Sequence, residues 1–213
     1  SSAASDVYKR QMKIDFWEKA KEHLCKKDKN LNNIITSAGN VYLETSKDPF
    51  VTLFNSILGQ QISVAAAESI KTRIISKYKI TPKAFFKATI DDLRDCGLSR
   101  MKIKYLKDLS SKVLNQEILF DEIKLQDDNE VIKSLTKVNG IGNWTAEMFM
   151  IFHLGRPNIL PVKDIGIINS LVKIYGEDKK NINFEKYFLL WSPWNTVASW
   201  YLWRNIDQKI ISY

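Results

Sequence analysis

The chain has 213 residues, of which 45% are hydrophobic and 26% are charged. That length can bury a sizeable core in one compact unit or in two close lobes. Lys and Arg number 32 against 24 Asp and Glu, so the net charge is +8. A basic balance favours a polyanionic partner, although unrelated proteins are often basic too. No apolar run reaches the length of a membrane span, and residues 1–13 lack the apolar core of a secretory signal, so we expect no membrane partner.

The two cysteines, Cys25 and Cys96, lie far apart in the sequence. They exclude the disulfide framework of a small secreted protein, and a reducing compartment is the simpler interpretation. The two histidines, His23 and His153, lack the spacing of metal ligands, and His153 lies in an apolar segment that favours a core position.

Helical periodicity, capping residues and glycine or proline breaks predict helices along the whole chain. In chain order the predicted helices cover residues 7–29, 50–58, 64–78, a short segment from 82, 90–96, 100–114, 131–135, 144–152, 165–175, 184–191 and a last segment from 193. Residues 31–47 are predicted to be a turn-rich connector, and residues 121–129 an acidic link. No alternation typical of strands persists, so the predicted fold is all-α.

Basic side chains cluster at the start of the helix predicted over 100–114. They are Arg100, Lys102, Lys104 and Lys107. Contacts to phosphate are one interpretation, and a solvated helix face is the other.

Two glycines, Gly140 and Gly142, separate the helices predicted on either side of them. Glycine allows a tight turn with positive φ and lets another backbone approach. The first amides of the helix after the turn have no intrahelical partner, so with the helix dipole they favour an anion such as a DNA phosphate. On the glycines alone, an ordinary turn between helices explains the pattern equally well.

One carboxylate, Asp164, follows Pro161-Val-Lys and begins the amphipathic segment 165–175. An aspartate at this place is commonly an N-cap, and negative charge is favourable at a helix N-terminus. The residues by themselves leave both a capping role and a chemical role open.

These two segments, Val138-Asn-Gly-Ile-Gly-Asn-Trp-Thr-Ala146 and Pro161-Val-Lys-Asp-Ile-Gly166, resemble the helix-hairpin-helix (HhH-GPD) DNA glycosylases, specifically the alkylation-repair 3-methyladenine DNA glycosylase II type. Residues 57–65, 96–102 and 194–204 resemble further family segments in the same order, and the resemblance covers about residues 45–207. It implies two helical lobes with DNA in the cleft between them. It also implies three segments: 1–47 packing on the second lobe, 48–129 as the first lobe, and 130–213 as the hairpin and catalytic lobe.

By this resemblance Asp164 is the catalytic residue, which stabilises positive charge on the sugar as the base leaves. The flipped base is expected in an aromatic pocket of Trp144, Met148 and Trp203. The gap in the duplex is expected to be filled by a base plug, by which we mean the side chain that replaces the flipped base. We assign that role first to Gln61, with Gln60 as its neighbour.

The resemblance places the phosphate contacts at Gly140, Gly142, Asn143 and Thr145. It also implies a monovalent cation held by the backbone carbonyls of Thr136, Val138 and Ile141. A sister branch carries a four-cysteine iron–sulfur cluster near its C-terminus, but no cysteine follows Cys96, so we expect no cluster and no other cofactor.

The resemblance therefore implies a monofunctional, monomeric enzyme of base excision repair. Its expected substrates are alkylated purines in double-stranded DNA, namely 3-methyladenine, 7-methylguanine and also hypoxanthine or ethenoadenine. The expected location is the cytoplasm and nucleoid in a bacterium, or the nucleus in a eukaryote.

Two alternatives stay open: a helix-hairpin-helix binding module without chemistry, and a bifunctional glycosylase/lyase for oxidised bases. Lyase relatives carry a lysine where this chain has Trp144, which argues against the second.

Overall fold

The computed structural model describes residues 12–206. In that range it has thirteen helices and one antiparallel pair of two-residue strands, so the predicted all-α fold is confirmed. The chain divides into two units, which we call the terminal unit (12–45 with 154–206) and the central unit (46–153). No helix of the described range is both long and apolar enough to cross a membrane.

The terminal unit contains β1, β2 and five helices. They are β1 (Met12–Lys13), α1 (Trp17–Lys27), α2 (Lys29–Ala38), β2 (Glu44–Thr45), α11 (Ile165–Tyr175), α12 (Phe184–Trp191) and α13 (Asn195–Ile206). Helix α13 is buried along its whole first two turns and packs against the other four helices. A helix that is buried on every side lies at the centre of a unit. Trp17 of α1 packs edge-on against Trp200 of α13 and closes this core.

The central unit contains eight helices. They are α3 (Pro49–Gly59), α4 (Val64–Lys77), α5 (Pro82–Lys87), α6 (Ile90–Asp95), α7 (Arg100–Leu114), α8 (Phe120–Ile123), α9 (Asp128–Leu135) and α10 (Asn143–Phe152). Helix α3 is buried from Thr52 to Leu58 and packs against α4, α7 and α10.

The segment predicted as one catalytic lobe, 130–213, is divided between the two units. Helix α9 packs on α10, and α10 packs on α3, so the turn between α9 and α10 belongs to the central unit. Asp164 belongs to the terminal unit. The predicted boundary at residue 129 therefore has no counterpart, because the packing of α10 on α3 is a long-range contact that local sequence does not encode.

Residues 7–11 of the helix predicted over 7–29 lie outside the described residues, and the rest of that helix and the connector predicted over 31–47 both need correction. A break at Asp28 separates α1 from α2, because the Asp28 carboxylate accepts hydrogen bonds from the amides of Asn30 and Leu31 and caps α2. The other carboxylate oxygen accepts from the Tyr175 hydroxyl at 2.7 Å and the Trp191 indole N–H at 2.8 Å. Burial, then the hydrogen bond to Asp28, raises the pKa of Tyr175, so the hydroxyl remains a donor.

Two of the clustered basic residues have structural roles that neither interpretation expected. The Lys102 ammonium donates to the Leu58 carbonyl at 2.6 Å, at the end of α3, and burial lowers its pKa. The Lys107 ammonium donates to the carbonyls of Phe85, Phe86 and Ala88, at the end of α5. Cations are favourable at helix C-termini, where carbonyls lack helical partners. Arg100 and Lys104 are exposed.

The acidic link predicted over residues 121–129 contains the end of α8, a turn and the start of α9. Asp127 begins α9 with a capping box, in which its side chain accepts from the Glu130 amide and the Glu130 carboxylate accepts from the Asp127 amide. Capping boxes satisfy two amides that the helix leaves unpaired. The Asp-x-x-Glu spacing was visible in the sequence and signals this helix start.

Replacement of Asp28 by alanine is expected to destabilise the protein by about 3 kcal/mol, because it removes a helix cap and leaves two buried donors without an acceptor. Urea unfolding at equilibrium measures the change. Asp95→Ala is the control, since Asp95 is exposed at the end of α6, and it should change stability by less than about 0.5 kcal/mol. Equal effects of the two substitutions would contradict the role assigned to Asp28.

His153 is expected to make the stability depend on pH. Burial lowers its pKa below the ordinary 6.5, and a hydrogen bond to the Ser46 carbonyl and the charge of Asp48 offset only part of this. The unfolded chain therefore binds a proton at a higher pH than the folded chain does, so stability falls as pH falls through 6.5. Unfolding free energies measured from pH 7 to pH 5 should show this loss in the wild type and a smaller loss in His153→Gln. An unchanged pH slope in the variant would assign the effect to other groups.

Candidate active site

Asp164 is the N-cap of α11 in the terminal unit. Its backbone amide donates to the Pro161 carbonyl at 3.0 Å, and this turn presents the side chain to the first turn of the helix. One carboxylate oxygen, Oδ1, accepts from the Ile167 amide at 3.0 Å and from the Trp203 indole N–H at 2.8 Å. The residue is only 9% exposed. The carboxylate is therefore fixed in direction by two donors from different helices, α11 and α13.

Gly166 makes room for this arrangement, a role that no pattern in the sequence predicted. A Cβ at Gly166 would lie 2.9 Å from Cδ1 of Trp203, 3.2 Å from its Nε1 and 3.0 Å from Oδ1 of Asp164. The indole thus lies directly against the backbone of the second residue of α11. The available signal was the position of this glycine, two residues after the candidate catalytic aspartate.

Lys163 and Ile165 flank Asp164 and are both exposed. Successive residues at a helix start point in different directions. The structure thus places beside the carboxylate one basic and one apolar side chain, both turned to solvent.

The turn between α9 and α10, which we call the hairpin, covers residues 136–142 of the central unit. Gly140 has φ +80, and a Cβ there would lie 2.2 Å from the ring of Tyr105. The amide of Asn139 donates to Oδ2 of Asp108 at 2.7 Å, and Asp108 pairs with Lys112 at 3.3 Å. Helix α7 therefore holds the hairpin through Tyr105 and Asp108, neither of which carried a signal in the sequence.

The residues predicted to contact phosphate differ in their exposure and in the groups that could meet an anion. Gly142 is the N-cap of α10, and a Cβ there would meet nothing within 4 Å, so the space beside its Cα is open. Asn143, the first residue of α10, is exposed. Thr145 is 2% exposed, and its hydroxyl oxygen accepts from Gln60. The side chain of Thr145 thus faces the interior, and an anion at this end would meet backbone amides rather than that hydroxyl.

The two glutamines between α3 and α4 have opposite environments. Gln61 is exposed and has φ +57, a conformation that is uncommon for a residue with a side chain. Gln60 is half-buried, and its Nε2 donates to the Gly140 carbonyl at 2.9 Å and to the Thr145 hydroxyl oxygen at 3.2 Å.

The residues predicted for the base pocket lie in both units. Trp203 contacts Asp164 in the terminal unit. Trp144, half-buried, and Met148, buried, lie one turn apart on α10 in the central unit. Of the carbonyls predicted to hold a cation, that of Val138 accepts from the Ile141 amide at 3.1 Å. Across residues 12–206, no group of three or more His, Cys, Asp or Glu side chains is arranged to hold a metal ion.

The family model of HhH-GPD superfamily base excision DNA repair proteins matches residues 54–195, which include the hairpin and Asp164. The chain is 29% identical to DNA-3-methyladenine glycosylase 1 of Schizosaccharomyces pombe over 98% of this chain and 95% of that protein. It is 38% identical to the DNA-3-methyladenine glycosylase of Saccharomyces cerevisiae over 77% of this chain and 61% of that protein. The solved structure of the S. pombe 3-methyladenine DNA glycosylase in complex with abasic DNA superposes with a TM-score of 0.80 at 29% identity, over 92% of this chain and 98% of that one.

Gly166→Ala is expected to destabilise the protein by about 1–3 kcal/mol, because the added methyl group overlaps the Trp203 indole. Without that contact, alanine in a helix would instead stabilise by up to about 1 kcal/mol. Urea unfolding determines the sign. In a Trp203→Ala background the same substitution should lose most of its cost, and an equal cost in both backgrounds would show that the indole is not the obstacle.

Proposed function

The chain belongs to the HhH-GPD superfamily of base excision DNA repair proteins. We propose that Asp164 is its catalytic carboxylate and that the enzyme acts on alkylated purines in double-stranded DNA. The protein is a DNA-3-methyladenine glycosylase, which hydrolyses the N-glycosidic bond between a base and its sugar. The observation that carries the proposal is the Asp164 carboxylate, fixed at a helix N-terminus by the Ile167 amide and the Trp203 indole.

The reaction needs stabilisation of positive charge more than proton transfer. As the bond from C1′ to the base nitrogen breaks, its electron pair leaves with the base and positive charge grows on the sugar. A water molecule then bonds to C1′ and loses a proton, which leaves an abasic site. A preorganised carboxylate stabilises the cationic sugar without having to reorient. An N3- or N7-alkylated purine already carries positive charge and leaves as a neutral base, so one carboxylate suffices.

The hydrogen bond from Trp203 to Asp164 limits what this tryptophan can do for the base. Its indole N–H is used by the carboxylate, so the flat face of the ring is the part that can stack on a flipped base. For the central unit, we assign Trp144 and Met148 of α10 to base binding. An electron-rich aromatic surface attracts a cationic base without a specific hydrogen-bond pattern. Such a surface accepts several alkylated purines.

We assign DNA phosphate binding to the hairpin. The open space beside the Cα of Gly142 and the first amides of α10 support this assignment, since such a helix start attracts an anion without reading sequence. A monovalent cation held by the carbonyls of Thr136, Val138 and Ile141 would add positive charge at the same place. Carbonyl oxygens are suitable ligands for a hard cation.

Two features favour hydrolysis over the alternative functions. A binding module needs neither a carboxylate fixed by a tryptophan nor an aromatic pocket. A glycosylase/lyase needs an amine nucleophile, and Trp144 occupies the position at which lyase relatives carry lysine. We therefore propose a monofunctional enzyme, acting as a monomer and without an iron–sulfur cluster.

Asp164→Asn is expected to lower the release of 3-methyladenine from methylated duplex DNA by about 100-fold or more, because a neutral amide does not stabilise the cationic sugar. Binding to undamaged duplex should be retained. Asp15→Asn is the matched control, since it makes the same change at an exposed site of the terminal unit, and its rate should equal that of the wild type. The measurement is free base released in a single turnover.

Three outcomes would contradict the proposal in different ways. Near wild-type release by Asp164→Asn would assign the chemistry to another group. Absence of release by the wild type, from methylated duplex and from duplexes with hypoxanthine or ethenoadenine, would favour a binding module. A covalent protein–DNA adduct after borohydride treatment would indicate a Schiff base and therefore a lyase.

A further inference from the structure

The two neighbouring glutamines between α3 and α4 divide two tasks between them. Gln61 is exposed and next to the end of α3, so its side chain is available to DNA. The side chain of Gln60 is held in the protein by two hydrogen bonds, at 2.9 Å to the Gly140 carbonyl and at 3.2 Å to the Thr145 hydroxyl oxygen. A carbonyl only accepts, so the NH₂ group of Gln60 must face it. Filling a gap in DNA would cost Gln60 both of these bonds, whereas Gln61 is already exposed.

The hairpin to which Gln60 binds is itself held in place. The Tyr105 ring packs against Gly140, and Asp108 accepts from the amide of Asn139. Both side chains belong to α7, and Gln60 adds a third support from the end of α3. The partner of Gln60 is therefore a fixed point, and it lies within the turn that we assign to phosphate binding.

The residues next to Gln61 are also fixed on both sides. Lys102 donates to the carbonyl of Leu58, and the Ser63 hydroxyl oxygen accepts from the Ala66 amide and caps α4. Gln61 has φ +57 between these anchors. A side-chain-bearing residue keeps such a conformation only where its surroundings determine it, at a cost of about 1–3 kcal/mol. The backbone that carries its exposed side chain is therefore defined.

We propose that Gln60 is a positioning residue that holds the base plug Gln61 at a fixed place relative to the phosphate bound by the hairpin. This inference rests on the proposed glycosylase function. Because Gln60 hydrogen-bonds the hairpin directly, binding of a phosphate there also sets where Gln61 enters the stack. Gln60 itself contacts neither the base nor the sugar. Its contribution to excision is made through Gln61.

The test is a double-mutant cycle of Gln60→Met and Gln61→Ala. Methionine keeps the length of glutamine but cannot donate to Gly140. Each single substitution should lower single-turnover release of 3-methyladenine from methylated duplex by about tenfold, because each removes a correctly placed plug. The double variant should be no more than about twofold slower than Gln61→Ala, since coupled residues are not additive.

A second measurement follows insertion of the plug side chain into the DNA gap and does not require base excision. The probe is a duplex with an abasic-site analogue opposite 2-aminopurine, whose fluorescence changes when a side chain enters the gap. Gln60→Met and Gln61→Ala should both reduce the change seen with the wild type. Affinity for undamaged duplex should change less than about twofold in Gln60→Met, because Tyr105 and Asp108 still hold the hairpin. Thermal melting of each variant confirms that it is folded.

The outcomes that would overturn the inference are separate from those that would overturn the function. If the wild type releases no base, the proposed glycosylase function fails. If the wild type is active, wild-type rates for Gln60→Met, or rate losses that multiply in the double variant, would show that Gln60 does not act through Gln61. An equal fall in affinity for undamaged duplex would show that Gln60 supports the hairpin instead.

Discussion

The candidate active site in the terminal unit depends on one carboxylate oxygen, Oδ1 of Asp164, which accepts from the Ile167 amide and the Trp203 indole. The first donor fixes the oxygen to the start of α11, and the second fixes it to α13. The two helices approach closely enough because Gly166 has no side chain. A group that must stabilise charge during a reaction works best when its direction is set beforehand. Here packing, and not a flexible side chain, sets that direction.

In the central unit the groups that we assign to DNA binding are backbone amides, whereas in the terminal unit the candidate catalytic group is a side chain. The hairpin leads into the free amides at the start of α10. Side chains from α7 and from the end of α3 pack against the turn or hydrogen-bond it. Gly140 must be glycine for two reasons, because its φ is positive and because the Tyr105 ring occupies the place of a Cβ. The phosphate site that we propose here would bind any phosphate equally, because backbone amides do not read sequence. It suits an enzyme whose selection is made at the base and not along the sequence.

The net charge of +8 is a poor guide to which lysines meet DNA. Lys102 and Lys107 are used inside the central unit, where their ammonium groups satisfy carbonyls at the ends of α3 and α5. Both replace capping residues that the sequence lacks at these helix ends. A basic residue beside a predicted binding loop can thus be part of the scaffold of that loop. Such a lysine affects the binding loop only by holding backbone carbonyls in place.

The sequence by itself determined the helical class, most helix starts and the position of Asp164, because caps, helical periodicity and glycine turns are local signals. The family motifs around the hairpin are also visible in the sequence. Tertiary structure decided what local patterns do not encode: that Asp28 bonds Tyr175 and Trp191, that Trp203 bonds Asp164, and that Gln60 bonds Gly140. Each of these contacts joins residues far apart in the chain or depends on burial. Their partners are therefore set by how the helices pack and not by neighbours in the sequence.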